Sequence, residues 1–173
     1  VSGGSFSISL WYNYGTITNG PPIIQSTTNY AWNDGFAIRQ EIALGNDRLR
    51  FWVGAQTTYV ATGNLNASQW YHVVAVFTGG ATHTLEIYID NVLVSTASFT
   101  TSRNIHNPTP ISMAWAPDGY GYFYDGMLDE VGIFDYALTV SDVDEIYNAT
   151  SSGKTADLSD LSTPPVAWYR MGD

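Results

Sequence analysis

The sequence predicts an all-β fold, a sandwich or a barrel, with one short helix near the C-terminus. Three observations carry this. The chain holds 12 Tyr, 6 Trp and 7 Phe against only 13% charged residues, a composition that favours strands and broad flat packing surfaces over helical bundles. Apolar and polar residues alternate at period two in run after run, with Gly, Asn, Asp and Pro between the runs, as in a succession of short strands rather than βαβ units. Helix-start chemistry is concentrated after Leu138. At 173 residues and 45% hydrophobic content the chain suits one domain, and a chain near this length buries roughly two-thirds of its unfolded surface.

In chain order, Phe6, Ile8, Leu10 and Tyr12 alternate with Ser5, Ser7, Ser9 and Trp11, a strand with one face in the core and a serine face expected to meet water. Residues 15–22 (GTITNGPP) read as a loop, and Ile23–Ser26 as a short strand. Asn33, Asp34 and Gly35 tolerate left-handed backbone and form a turn between Trp32 and a strand from Phe36 to Leu44. Asn46-Asp47 is expected to turn the chain into Leu49–Val53, where Leu49, Phe51 and Val53 alternate with Arg50 and Trp52, completing a hairpin. A weak strand near Tyr59–Thr62 precedes Trp70–Thr78 (WYHVVAVFT), which is apolar on both faces as a central strand under a second layer would be. After Gly79-Gly80, Leu85, Ile87 and Ile89 point inward and Glu86 and Tyr88 outward. Asp90-Asn91 then makes a two-residue turn into Val92–Ser98. A polar loop over 100–110, a strand at Ile111–Ala114 and an aromatic loop (APDGYGY) lead to the last core strand. Thr139 is placed to cap a helix of about two turns with Asp142 at the third helical position, and Leu138 and Val143 hold the staple positions.

Charge excludes one class of partner. The formal net charge is −10, from 6 Lys+Arg against 16 Asp+Glu, so a nucleic-acid backbone would be repelled. The absence of cysteine removes disulfides, thiolate zinc sites and Cys nucleophiles, and leaves the redox compartment open. No apolar run approaches a membrane span, and the opening VSGGSFSISLW has neither the basic flank nor the apolar stretch of a signal peptide. Its abrupt start leads us to expect a piece of a longer protein. No internal repeat is found.

FSISLW, QWYHVVAVF, LEIYIDNVLV and YDGMLDEVGIFDYALTVSDVDEIY resemble, in order, the successive signatures of laminin-G-like, concanavalin-A-like jelly-roll domains over Phe6 to Asn148. The resemblance implies two antiparallel sheets packed face to face, with a short helix after the last strand. It divides the chain into a jelly roll at 1–149, a polar linker at 150–165 and a terminal strand at 166–173. Such domains open with a strand resembling VAWYRMGD, which here stands at the C-terminus. Val166–Arg170 therefore either starts a next domain or fills the vacant strand position, in this chain or in a neighbour. A looser resemblance extends to surface proteins of bacteria and virion proteins of marine phage, and implies an extracellular, cell-surface or virion location.

Related jelly-roll glycoside hydrolases use two glutamates on one strand face as acid and nucleophile. Asp129 and Glu130 are neighbours pointing to opposite faces, and Glu86 and Asp90 are separated by Tyr88, without the surrounding acidic pattern. His72, His83 and His106 lack metal-ligand spacing, and no serine triad motif accompanies them. The reading is of a domain that is not an enzyme.

Asp129 shares its strand parity with Val131 and Ile133, so it is expected at the core or its rim, with Glu130 outward. A buried carboxylate needs partners: either backbone N–H groups, or a calcium ion completed by loop oxygens. The family resemblance implies calcium in many members, and Asp34, Asp125 and Asp129 are the ligand candidates here, with Asn33 and Asp118 as further loop oxygens. Trp32, Trp115, Tyr120, Tyr122 and Tyr124 offer flat faces for sugar rings, with Asp34 and Asp118 for hydroxyls; the same aromatics can instead pack within the sandwich. Asn66 and Asn148 head Asn-x-Ser/Thr sequences, which matter only on a eukaryotic secretory route.

Two functions follow as expectations. The first is a non-catalytic binding or adhesion module recognising a glycan or cell-surface polysaccharide, with calcium where the site requires it. The second is a structural or assembly domain that contacts other subunits of a surface or virion assembly through its sheet edges, including donation of VAWYR to a neighbour.

Overall fold

The computed structural model describes residues 4–16, 20–27, 34–43, 46–102, 110–116, 122–148 and 156–171. Among the described residues, eleven strands form two antiparallel sheets. They are β1 (Phe6–Tyr14), β2 (Pro22–Ser26), β3 (Phe36–Ala43), β4 (Asn46–Val53), β5 (Val60–Ala61), β6 (Tyr71–Thr78), β7 (His83–Ile89), β8 (Val92–Phe99), β9 (Ser112–Met113), β10 (Gly126–Phe134) and β11 (Ala167–Tyr169). A six-stranded sheet runs β11-β10-β1-β6-β7-β8 and a five-stranded sheet β5-β4-β3-β2-β9. Helix α1 (Val140–Asn148) follows β10, and a single 3-10 turn spans Leu158–Asp160.

Between the sheets lies one apolar core. From the six-stranded sheet come Phe6, Ile8, Leu10, Tyr12, Val73, Ala75, Phe77, Leu85 and Ile87, and from the other Ile24, Phe36, Ile38, Leu49, Phe51 and Val53. Phe6 sits at its centre, 5.1 Å from Phe36, 5.5 Å from Phe77 and edge-on to Phe51 at 6.3 Å between ring centroids. Such side chains each contribute about 1.5–3 kcal/mol on burial.

The other face of β1 departs from expectation. Ser7 and Ser9 are buried, not wet, because a second apolar cluster covers the outside of the six-stranded sheet. Val74, Val76, Tyr88 and Phe134 meet Leu138, Val143 and Ile146 from the α1 region, and Ala156, Leu158 and Leu161 from the segment read as a linker. Tyr88, expected outward, is thereby buried as well. Serine tolerates this cover because its hydroxyl finds partners. Ser7 Oγ donates to the Tyr136 carbonyl at 2.9 Å and accepts from the Leu138 N–H at 2.8 Å, and Ser9 Oγ lies 2.9 Å from His72 Nε2.

Turn and cap chemistry follow the sequence. Asp90 and Asn91 take positive φ of 49° and 67° in the β7–β8 turn, the handedness that matches strand twist. The Thr139 N–H donates to Asp142 Oδ2 at 2.7 Å, and the Asp142 N–H to Thr139 Oγ1 at 3.2 Å, closing the reciprocal cap of α1. Asn46 and Asp47 fall within β4, paired with Ala43 and Ile42, rather than forming the turn itself.

A bulge in β10 reverses the expected roles of its carboxylates. Ser9 pairs with Gly132 but Trp11 with Asp129, so one extra residue is inserted, and Glu130 adopts a φ of +49°. Beyond that point parity shifts by one. Glu130 is the buried carboxylate and Asp129 the half-exposed one. Glu130 Oε2 accepts the Trp168 indole N–H at 2.6 Å, and Oε1 pairs with Arg170 at 3.4 Å. Asp129 Oδ1 accepts the N–H groups of Glu130 and Met171 at 2.9 and 3.2 Å. Strand β11 itself pairs with β10, Val131 opposite Tyr169 and Ile133 opposite Ala167.

His72 is sealed beneath this outer layer at 1% exposure, between Trp11 and Tyr147, and burial pulls its imidazole from the ordinary 6.5 down to about 4. Between those two values the unfolded chain binds a proton that the folded chain refuses, so stability is full above pH 6.5 and falls as pH drops toward 4. The loss expected from this group is roughly 3 kcal/mol. Urea unfolding of the wild type and His72→Gln across this range checks it: the wild type should lose this increment relative to the variant, and parallel pH profiles would contradict it.

Candidate functional site

Strand parity decides what the outer face of the five-stranded sheet carries. Phe36 and Ile38 of β3 and Leu49, Phe51 and Val53 of β4 point to the core, so the alternate residues Ala37, Arg39, Glu41, Arg48, Arg50 and Trp52 point the other way. Register arranges them in rows. Ser112, Gln25, Ala37 and Trp52 lie side by side across β9, β2, β3 and β4. In the next row stand Pro22, Arg39, Arg50 and Ala61; beyond it, Glu41 lies opposite Arg48. Rows on one face repeat about every 7 Å.

Three of the 6 positive residues of a chain with net charge −10 thus share one face. Arg39 and Arg50 are direct cross-strand neighbours, a like-charge pairing that is unfavourable by itself. Glu41 offsets it. Its Oε2 accepts from Arg48 Nε at 2.5 Å and its Oε1 from Arg50 Nη1 at 2.8 Å. Tyrosines hold the guanidinium planes: Arg50 lies 3.7 Å from the Tyr59 ring centroid and Arg39 5.3 Å from that of Tyr122, contacts worth about 0.5–2 kcal/mol each. Arg39 Nε also donates to the Gly20 carbonyl. The three groups around Glu41 stay within reach of solvent, with side-chain exposures of 28% for Arg48, 18% for Arg50 and 23% for Glu41. Among the described residues, Arg50 Nε and Ser112 Oγ have no hydrogen-bond partner although both atoms are buried. Gln25, Ala37, Arg39 and Trp52 are buried on this face, so what the hairpin offers to solvent is the Arg48 and Arg50 forks around Glu41 with the exposed Tyr59 ring beside them, groups of the kind by which proteins grip oxyanions and sugar rings.

The residues singled out from sequence are distributed as follows. Trp32, Asn33, Asp118, Tyr120 and His106 lie outside the described residues. Trp115 follows β9 at the edge of this sheet, is bridged to Phe123, and is 45% exposed beside an exposed Phe123. Tyr122 reaches Arg39. Tyr124 turns the other way: its ring stacks on Tyr12 at 5.7 Å and its hydroxyl donates to the Asn13 carbonyl at 2.5 Å, and burial raises its pKa. Asp34 is buried just ahead of β3. Asp125 Oδ2 accepts the Thr16 N–H at 3.2 Å, and Asp129 serves the β10 bulge. Among the described residues no three His, Asp or Glu side chains group as a metal site would. Glu86 lies in β7, in the other sheet, and Asp90 Oδ1 accepts the His72 N–H at 2.8 Å.

Sequence reasoning passed over Arg39, Glu41, Arg48 and Arg50. Their signal was available, since half of the chain's cations fall at alternate positions of one hairpin, in IRQE and RLRFW.

The family described as the concanavalin A-like lectin/glucanases superfamily, of laminin G type, matches residues 1–144. Among solved structures, the chain is similar to a heptameric SAP-like pentraxin from Limulus polyphemus, with a TM-score of 0.64 and 16% identity over 88% of this chain and 74% of that one. Domain 4 of an extracellular arabinanase from Geobacillus stearothermophilus, in complex with arabinotriose, gives 0.60 and 18% over 83% and 66%. The binding domain of botulinum neurotoxin DC, in complex with SialylT, gives 0.60 and 19% over 87% of this chain and 36% of that one. At these identities the likeness is one of fold. No curated protein matches the sequence.

Glu41→Gln removes the carboxylate that separates the arginines. The variant is expected to lose about 1–2 kcal/mol of stability at low ionic strength and less at about 0.5 M salt, where screening weakens both the lost pairs and the remaining repulsion. A deficit that does not change with salt, read by denaturant unfolding, would contradict the electrostatic account.

Proposed function

We propose, from the premise that this chain belongs to the concanavalin A-like lectin/glucanases superfamily, that it is a glycan-binding module without a catalytic role, working outside the cell or on a cell or particle surface. The observation that carries the reading is the outer face of the five-stranded sheet, where Arg39 and Arg50 are each held against a tyrosine ring and the exposed Trp115 stands at the sheet's edge. Sugars present hydroxyls around a ring with apolar faces, so a site that combines forked donors with flat aromatic surface matches their chemistry. Support from comparison is consistent with this: the arabinanase domain is solved with arabinotriose and the neurotoxin binding domain with SialylT. The reading requires no metal ion. Its two early acid candidates, Glu86 and Asp90, belong to the opposite sheet and its turn, away from the aromatic and arginine-bearing face. No helix among the described residues is long and apolar enough to cross a membrane.

One observation favours assembly as a second reading. Edge strand β8 exposes Val92, Leu93 and Val94 at 60%, 44% and 42%, with no charged residue along Val92–Phe99 to discourage edge pairing. The two readings separate in one experiment. A glycan array probed with the purified domain, together with light scattering, should give binding by a monomer under the first and a sugar-blind oligomer under the second. In the first case Trp115→Ala should weaken retention by about tenfold, roughly 1.4 kcal/mol, with an unchanged melting temperature. Retention equal to wild type would remove Trp115 from the site.

A further inference from the structure

We infer that the ligand is an uncharged oligosaccharide chain, held by successive sugar units against Trp115 and Phe123, an aromatic pair at the edge of the five-stranded sheet. This inference rests on the glycan-binding reading above; it adds Phe123 to the site and names the ligand class.

The ladder at this edge sorts its aromatics into two kinds. Trp115 and Phe123 are antiparallel bridge partners. The bonds flanking them run from the Ala116 N–H to the Tyr122 carbonyl at 3.2 Å and from the Tyr124 N–H to the Ala114 carbonyl at 3.0 Å. That pattern defines a non-hydrogen-bonded pair, the kind whose side chains stand closest together on one face. Tyr122 and Tyr124 alternate with Phe123 and turn the other way. Tyr122 reaches the Arg39 guanidinium and so ties the arm to the β3–β4 hairpin, while Tyr124 stacks on Tyr12 and donates to the Asn13 carbonyl. Ala116, next to Trp115, is buried. The arm is thus fastened by its inner face, and Trp115 and Phe123 stay 45% and 62% exposed. Among the described residues neither ring stacks on another, and the Trp115 indole N–H has no hydrogen-bond partner. Backbone strain marks the same place. Met113 packs on the core, and unbroken alternation would send Trp115 there too. Ala114 instead takes a φ of +57°, left-handed backbone that residues other than glycine seldom adopt, and beyond it Trp115 faces solvent. Such strain clusters where a chain holds a ligand.

Charge and shape narrow the occupant. The chain carries a net charge of −10, Asp125 follows Phe123 by two residues, and none of the described residues 110–116 and 122–127 is Lys or Arg. A carboxylated or sulfated sugar and an anionic lipid surface are therefore repelled. A second copy docked pair to pair would bring two Asp125 carboxylates together, since a two-fold contact sets each patch against itself. A neutral sugar meets no such penalty. Its C–H face covers an aromatic ring while its hydroxyls donate to a carboxylate. Asp125 is exposed, and among the described residues its one hydrogen bond is the one that Oδ2 accepts from the Thr16 N–H at 3.2 Å, which leaves Oδ1 to receive a hydroxyl. Two unstacked rings side by side offer more flat surface than one sugar covers, so the pair suits consecutive units of a chain.

The test titrates the intact chain calorimetrically with cellotetraose, mannotetraose and the methyl ester of tetragalacturonate, each against its monosaccharide, and with free tetragalacturonate. A glycan array extends the search, and a neutral ligand found there is measured in the same way. A neutral tetrasaccharide is expected to bind at least about tenfold more tightly than its monosaccharide and than free tetragalacturonate, with an affinity that holds as salt rises from about 50 to about 500 mM. Trp115→Ala and Phe123→Ala should each weaken that binding by about tenfold with unchanged melting curves, as befits exposed side chains. Phe123→Tyr keeps the ring and should retain binding. Wild-type affinity in Phe123→Ala, a monosaccharide bound as tightly as the tetrasaccharide, or array binding confined to acidic glycans overturns this inference while leaving the glycan-binding reading in place. An array without any bound glycan overturns both, as does adsorption to phosphatidylcholine vesicles through the two aromatics in the absence of glycan binding.

Discussion

Strand β1 has no face that meets water, and that constraint organises the molecule. Its apolar side fills the core between the sheets. Its serine side is covered by α1 and by the segment around Leu158. A six-stranded sheet sealed on both sides cannot present a broad binding surface over its central strands. On the five-stranded sheet Gln25, Ala37, Arg39 and Trp52 are buried too, while Arg48, Arg50 and Glu41 stay partly exposed on the rigid β3–β4 hairpin; that hairpin is where the proposed function puts the ligand.

The same constraint explains the C-terminal region. Covering β1, β6 and β10 requires apolar side chains from beyond the helix, and Ala156, Leu158 and Leu161 supply them. The bulge in β10 buries Glu130, whose carboxylate then needs partners in a low-dielectric setting. Trp168 and Arg170 provide them, from and beside the strand that pairs with β10. Packing and charge compensation thereby fasten the last described residues to the six-stranded sheet.

Much of the fold was legible in the sequence because local chemistry and tertiary structure agree. Thr139 and Asp142 cap the helix as their spacing requires, Asp90-Asn91 makes its two-residue turn, and the doubly apolar Tyr71–Thr78 strand lies in the middle of its sheet. What the sequence concealed has physical reasons. Period two tells which residues share a face, not whether a polar face is wet, so Ser7 and Ser9 read as solvent-facing although small hydroxyls with local partners tolerate cover. A bulge adds one residue and inverts every parity argument beyond it, which is how Asp129 and Glu130 exchanged expected roles. The arginine face was harder to read, since Arg48 and Arg50 alternate with Leu49 and Phe51 as any exposed hairpin side would. Only the register, which sets Arg39 opposite Arg50 and Glu41 opposite Arg48, turns separate charges into a constellation. Aromatic loop residues were visible because Trp and Tyr are conspicuous, but the sequence could not divide Tyr122, which meets Arg39, from Tyr124, which packs on Tyr12.

The central claim is that ligand is received on the outer face of the five-stranded sheet. Its most direct measurement is backbone and arginine side-chain chemical-shift mapping of the isotope-labelled protein during titration with a glycan that it binds. The account requires perturbations concentrated on residues 37–52 and around 112–122, including the side-chain N–H signals of Arg48 and Arg50, with β6, β7 and α1 unmoved. Perturbations centred on β8 or on α1, with silent arginines, would contradict it.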